Sequence, residues 1–225
     1  MKKWWLFIGM LFFVVHVQAS TIREEALTCP IGCEPITATM AGSGTSFGTQ
    51  LDFKPIGPIV APWPLAKCPS NGFVIFKDDF SDAELEKLTQ YVASEEYQTL
   101  QKQHSNYYLA AQLTKWLGED DGEFSALLLQ ATWEVEDDNE RYTRYATETI
   151  AAYEAAAQKI KSDERAWELI VGELERRTGQ FVQAEKRFVS LSKHPFKQKW
   201  QNNVVAYQLK LIKARDQQPH EIPVE

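Results

Sequence analysis

The stretch that most limits the folds open to this chain is Arg165 to Pro195, RAWELIVGELERRTGQFVQAEKRFVSLSKHP. Apolar residues recur every three to four positions on both sides of Thr178-Gly179-Gln180, so the stretch reads as two helices joined by one tight turn. Gly179 suits the left-handed residue that ends a helix, and Phe181 restarts an apolar face. Gly172 and Ala184 are small where two helices must cross closely. Phe188, one turn beyond Ala184, fills the gap between them. A pair of this kind cannot bury its apolar face alone. Neighbouring helices are therefore expected, in an array whose unit is about 34 residues long.

Helical patterning begins at Ser81. Ser81-Asp82-Ala83-Glu84 is a capping box, and Leu85, Leu88, Tyr91 and Val92 follow at helical spacing. The same periodicity predicts helices at about 95–103, 105–118, 122–136, 138–161, 163–178, 180–193 and 196–215. Gly118 to Gly122, Asp137-Asp138-Asn139 and Ser162-Asp163 supply breaks and caps, and Pro195 is expected in the first turn of the last helix. The 165–195 pattern is not cleanly reproduced one unit upstream, where Asp138 takes the place of Gly172, so the array rests on helix count more than on motif copies. Asp216 to Glu225, with Pro219 and Pro223, is expected to be a flexible tail.

At the other end, Lys2 and Lys3 precede the apolar run Trp4 to Val17, and Val17-Gln18-Ala19 places small or modest residues before Ser20. This is the layout of a secretory signal peptide over residues 1–19, too short for a membrane span of roughly 20 apolar residues. Removing the two lysines takes the net charge from −7 to −9. An acidic chain lacks the basic face that nucleic acid or an anionic membrane requires. Residues 20–80 then differ sharply in composition. Ser20 to Thr28 reads as a mobile lead, and AGSGTSFGTQ and KPIGPIVAPWPLAKCP are rich in turn residues. Alternation at Ile36, Ala38 and Met40, again at Leu51 and Phe53, and from Phe73 to Phe76 predicts short strands in a small, loop-rich β module. So few apolar residues make a poor independent core, which must be stapled or must lean on the helices.

Cys29, Cys33 and Cys68 are the chain's three cysteines. An odd number in an exported protein implies one disulfide and one free thiol, or a metal site that borrows another ligand. Cys29-Pro-Ile-Gly-Cys33 and Cys68-Pro-Ser-Asn-Gly72 look like two related turns of the kind that hold zinc with four thiolates. The first has one residue too many between its cysteines, and the second carries Asn71 in place of its second cysteine.

With CPSNGFVIFKDDF over Cys68–Phe80, followed by YYLAAQL, LLLQATW and the YATETIAAYEAAA stretch, the chain resembles an uncharacterised bacterial domain family. The resemblance covers roughly Cys29 to Pro195 and implies a zinc-ribbon-like module followed by helices of tetratricopeptide type. The fold class expected is thus mainly α, with antiparallel helix pairs in a tetratricopeptide-like array behind a ribbon-like β module. No activity comes with the family. Zinc is not expected as a cofactor here, because an amide at Asn71 is a poor ligand; a distant His104 or a carboxylate such as Asp78 would have to complete the site. In an oxidising compartment a disulfide can close the same loop, by Cys29 or Cys33 to Cys68, and would stabilise by about 3–4 kcal/mol in the chain-entropy model. A Cys29–Cys33 bond and a metal site remain open alternatives.

No nucleophile elbow, HExxH or phosphate-binding glycine loop occurs. His104, His194 and His220 are expected at the surface, and the acidic run Glu134, Glu136, Asp137, Asp138 and Glu140 as a solvated helix end. Aromatic residues are the better candidates for recognition. Most of the tryptophans are expected in the core, with one or two, Trp116 and Trp133 being the candidates, joining Tyr108, Tyr142 and Tyr145 on the concave face that binds a protein or peptide partner. The expected function is that of a periplasmic or secreted, non-enzymatic interaction or scaffold protein; the alternative is a metal-binding or thiol-redox-linked envelope protein using Cys29, Cys33 and Cys68.

Overall fold

The computed structural model describes residues 21–118, 121–159 and 165–223. The expected signal peptide and the Ser162-Asp163 cap lie outside the described residues. Among the described residues six short strands lead into eight helices, so the protein is mainly α with a small β module in front.

Strands β1 (Thr21–Thr28) and β2 (Pro35–Ser43) form an antiparallel ribbon with Leu27 opposite Ile36 and Glu25 opposite Ala38. The lead expected to be mobile is thus a paired strand: alternation in β2 offers Ile36, Ala38 and Met40 on one face, and the strand recruits its own partner. Two minimal hairpins follow, β3 (Gly48–Thr49) with β4 (Pro55–Ile56), and β5 (Ala66–Lys67) with β6 (Val74–Ile75). Leu51 and Phe53 are not in a strand. Gln50 N–H donates to Lys54 O and Phe53 N–H to Gln50 O, closing a tight turn with Phe53 at φ 68°. Asp52 favours this turn, since its carboxylate accepts the Lys54 N–H at 3.1 Å.

The helices are α1 (Asp82–Val92), α2 (Glu95–Gln103), α3 (Asn106–Leu117), α4 (Asp121–Glu134), α5 (Asn139–Lys159), α6 (Trp167–Arg177), α7 (Phe181–Lys193) and α8 (Lys199–Lys213). The capping box at Ser81 and Glu84 is formed in both directions. Gly118 and Gly179 take the left-handed conformation at the ends of α3 and α6, φ 75° and 78°. Pro195 precedes α8 by four residues instead of opening it, because Asn202 turns back to bond both the N–H and the carbonyl of Phe196 and holds 195–198 outside the helix. From α3 onward each helix packs on the next, and α6 also touches α8.

Two cores result. The larger joins Cys29, Cys68, Phe73 and Val74 of the module to α1–α5. The smaller holds Leu169, Phe181, Ala184, Phe188 and Leu191 of the 165–195 unit with α8, and Leu51 reaches into it from the module. The module therefore leans on the helices at two places. Gly172 acts as the sequence suggested: a Cβ there would fall 2.5 Å from the Phe188 ring. The C-terminal segment is not a loose tail. Residues 216–222 run back to the module, where Leu51 N–H donates to His220 O and Ile222 N–H to Thr49 O.

Candidate functional site

Three places gather the residues that carry chemistry: the cysteine turns, a buried ionic junction, and the face of α5.

The two cysteine turns share one hydrogen-bond pattern. Cys29 N–H donates to Glu34 O and Cys33 N–H to Cys29 O; likewise Cys68 N–H donates to Phe73 O and Gly72 N–H to Cys68 O. This sets the register between them. Cys33 stands where Gly72 stands, both with positive φ (54° and 76°), and Gly32 stands where Asn71 stands. Cys29 and Cys68 meet at the centre in a disulfide, Cα atoms 5.9 Å apart, both fully buried. Cys33 is free and exposed. Asn71 ties the turns together, its Nδ2 donating to Ile31 O at 2.8 Å and its Oδ1 accepting Phe73 N–H at 2.8 Å. Glu34 does the same from the other side, accepting Ser70 N–H and Oγ–H. The donors do not fit a tetrahedral zinc site. The two central sulfurs are bonded to each other, Gly32 and Asn71 occupy the second-ligand places, and Cys33 lies at the glycine position. One carboxylate oxygen of Glu34 lies within 4.8 Å of both sulfurs, but its Oε1 is committed to Ser70.

Where the module meets α6, charged groups are buried. Arg177 Nη1 lies 2.9 Å from Glu136 Oε1 and 3.6 Å from Asp52 Oδ2, and its guanidinium sits over the Tyr142 ring, 4.4 Å from the centroid. The short Arg177–Glu136 approach is too poorly aligned to be a hydrogen bond, so charge attraction is what it supplies. Lys54 also pairs with Glu136. Burial pushes the Asp52 carboxyl up against the opposing pull of the Lys54 N–H and Arg177. Burial acts likewise on Glu136, but Lys54 and Arg177 outweigh it and the net direction is down. Next to it in sequence, Arg176, wholly buried, donates to both oxygens of Glu173, and Gln208 donates to Glu173 Oε2 at 2.7 Å. Removing one partner from such a network strands a buried charge, so it holds module, α6 and α8 in one arrangement. None of these charges was singled out in the sequence apart from Glu136, which leaves the expected solvated run to join the junction. Asp138 caps α5 through the Arg141 N–H, and Glu134 accepts the Tyr107 N–H.

The residues expected on an exposed binding face fall differently. Tyr108, Tyr142 and Tyr145 are buried and Trp133 is half-buried, because their rings fill the crossings of α3, α4 and α5. Trp116 is exposed and stacks flat on Tyr91 with centroids 4.4 Å apart, its Nε1–H donating to Lys87 O. Tyr108 and Tyr145 do come together, with an unexpected third ring. His104, at the end of α2, is buried; it stacks on Tyr108 at 4.1 Å, and its Nδ1 lies 2.9 Å from the Tyr145 hydroxyl. Burial, helped by Arg144 and Arg141, lowers the His104 pKa to about 4, so the ring is neutral at ordinary pH. His194 is exposed, whereas His220 is half-buried against Asp216 and Tyr207.

The ring stack is roofed by α5. Tyr108 O–H donates to Glu148 Oε2 at 2.9 Å, and Arg144 lies over the Tyr108 ring and reaches Glu148 Oε1. Outside it lies the open face of α5 formed by Asn139, Glu140, Thr143, Arg144, Thr147 and Glu148. Thr143 and Thr147 donate their hydroxyls to the carbonyls of Asn139 and Thr143 on their own helix. Their methyl groups remain for a neighbour, between acidic and basic side chains at one-turn spacing. The helical periodicity of α5 marked its inner face but gave no reason to single out this outer one.

These features define a mainly α protein whose β module is stapled by one disulfide and locked to the helices by buried ion pairs. Compared with family models, curated proteins and solved structures, the chain matches none of them.

Proposed function

We propose that this chain is an extracytoplasmic, non-enzymatic interaction protein built on a tetratricopeptide-like helical array, and that the outer face of α5 receives a helix of a partner protein. The observation that carries this reading is the open face of α5 along Asn139–Glu148. Thr143 and Thr147 present methyl groups there, and Glu140, Arg144 and Glu148 alternate in sign at one-turn intervals. A partner helix with basic, acidic and basic residues at the same interval would meet complementary charge along its length. Export is supported by the staple, since a disulfide persists in oxidising compartments. Among the described residues no helix is long and apolar enough to cross a membrane.

The test is site-specific. A photo-cross-linking residue at position 143 in cells of the native host should yield one discrete adduct, and Thr147→Glu should abolish it while the same residue at position 183 on α7 yields none. An adduct pattern shared by both positions, or unaffected by Thr147→Glu, would count against the α5 face.

A further inference from the structure

The C-terminal segment 216–222 passes α6 and meets the β module through one antiparallel bridge. Gln50 and Glu221 form an antiparallel bridge, flanked by the Leu51 N–H to His220 O and Ile222 N–H to Thr49 O bonds at 2.9 and 2.8 Å. Between helix and module, Arg176 grips the strap by its main chain, Nη1 donating to Asp216 O and Nη2 to Gln218 O at 2.8 Å. Its own guanidinium is held in place by Glu173. Side chains contribute less. His220 Nε2 meets Asp216 Oδ2 at 2.9 Å, and Ile222 alone packs on the smaller core. Gln217, Gln218, Pro219 and Glu221 are exposed.

Two consequences follow. A short segment held by a few main-chain bonds, the Ile222 side chain and the His220 ring against Tyr207 opens more readily than the helices it lies on. The groups that hold its backbone are themselves fixed from outside the strap: Glu173 binds Arg176, and Gln208 binds Glu173. The exit from α8 is also strained. Arg215 has φ 52°, with Arg215 N–H donating to Ile212 O and Asp216 N–H to Leu211 O, a helix-ending reversal that normally takes glycine. Extending the chain through Arg215 relieves that conformation and swings the strap outward.

We propose that the strap is exchangeable, so that residues 216–222 of one copy bind the same groups on a second copy and the reverse. Every contact of 216–222 is reproduced in the exchanged pair; what differs is the Arg215 hinge, whose guanidinium lies 4.7 Å from the Phe181 ring centroid. The exchanged dimer would carry two α5 faces on one particle, although the proposal does not depend on that face binding a partner.

Bridged antiparallel residues lie about 4.5–5.5 Å apart at Cα, within disulfide reach. The experiment uses the full chain with Gln50→Cys and Glu221→Cys, and with Cys33→Ser to remove the free thiol. Oxidised while dilute, it should run as a monomer on a non-reducing denaturing gel. Oxidised after incubation at high concentration, it should give a disulfide-linked dimer whose share rises with concentration. Arg215→Gly removes the hinge strain and should lower the dimerisation constant about fivefold or more. Native mass spectrometry of the Cys33→Ser chain alone should find the same concentration-dependent dimer, independently of the added cysteines. Monomer at every concentration in both assays, or a dimer share indifferent to Arg215→Gly, would overturn the proposal.

Discussion

Gly172→Ala sets two effects of opposite sign against each other, and the structure decides between them. Gly172 lies inside α6, where replacing glycine by alanine on an exposed face would stabilise by about 1 kcal/mol. Here the new Cβ would lie 2.5 and 2.6 Å from two ring carbons of Phe188 and 3.3 Å from Arg187 Cδ. Favourable carbon–carbon separations are about 3.5–4.0 Å. The Phe188 ring is fully buried among Leu169, Ala184 and α8, so it cannot swing clear. Overpacking of this severity costs about 2–3 kcal/mol, leaving a net loss of about 1–2 kcal/mol. Phe188→Leu should destabilise by about 1–2 kcal/mol on its own by leaving a cavity. In the double variant the alanine methyl partly fills that space, so the two changes should couple favourably by about 1–2 kcal/mol. Urea unfolding followed by far-ultraviolet circular dichroism on the four proteins reads this out, provided the m-values agree. A higher midpoint for Gly172→Ala, or strict additivity in the double variant, would refute the packing of α6 against α7.

The Cys29–Cys68 bond closes a loop with a sequence separation of 39, so Cys29→Ser with Cys68→Ser should lose about 4 kcal/mol in urea unfolding; an unchanged midpoint would contradict its role as the staple. The register of the two turns predicts that Gly32→Cys and Asn71→Cys, with Cys33→Ser, will bind one zinc ion per chain when folded under reducing conditions, by mass spectrometry and cobalt substitution, the metal offsetting a strain of about 1–2 kcal/mol for cysteine at φ 93°; a chain that folds yet binds no zinc would show the register to be wrong. His104 titrates near 4 when folded against 6.5 ordinarily, so the unfolded chain takes its proton first. Stability from this group is complete above pH 6.5 and is lost as pH falls toward 4, a loss that His104→Phe should abolish in pH-dependent urea midpoints. Parallel pH profiles for the two proteins would argue against a buried neutral ring.

The helices were legible because their signals are local. Ser81 and Glu84 cap α1, Gly179 ends α6, and the Gly172, Ala184 and Phe188 spacing fixes one crossing. The expected 95–103 and 180–193 helices fall at Glu95–Gln103 and Phe181–Lys193. What failed to show depends on contacts between distant parts of the chain. Nothing near Asp216 announces that its carbonyl meets Arg176, 40 residues earlier. Glu136 reads as one of a run of solvent-facing acids, and Asp52 draws no notice, until Arg177 is brought between them. Tyrosines at helical spacing read equally as core or as surface, and Tyr108, Tyr142 and Tyr145 proved to be core. The cysteine turns were half legible: their likeness was plain, but taking Cys33 as the second ligand hid that the turns are equal in length and that Gly32, not Cys33, corresponds to Asn71.

The most direct measurement is a count of free thiols in the full protein taken from its native host, with thiols alkylated under denaturing conditions before any reductant is added. An exported protein stapled as described should show one alkylated cysteine, Cys33, with Cys29 and Cys68 linked in a single peptide pair. Three alkylated cysteines would contradict both the staple and the compartment.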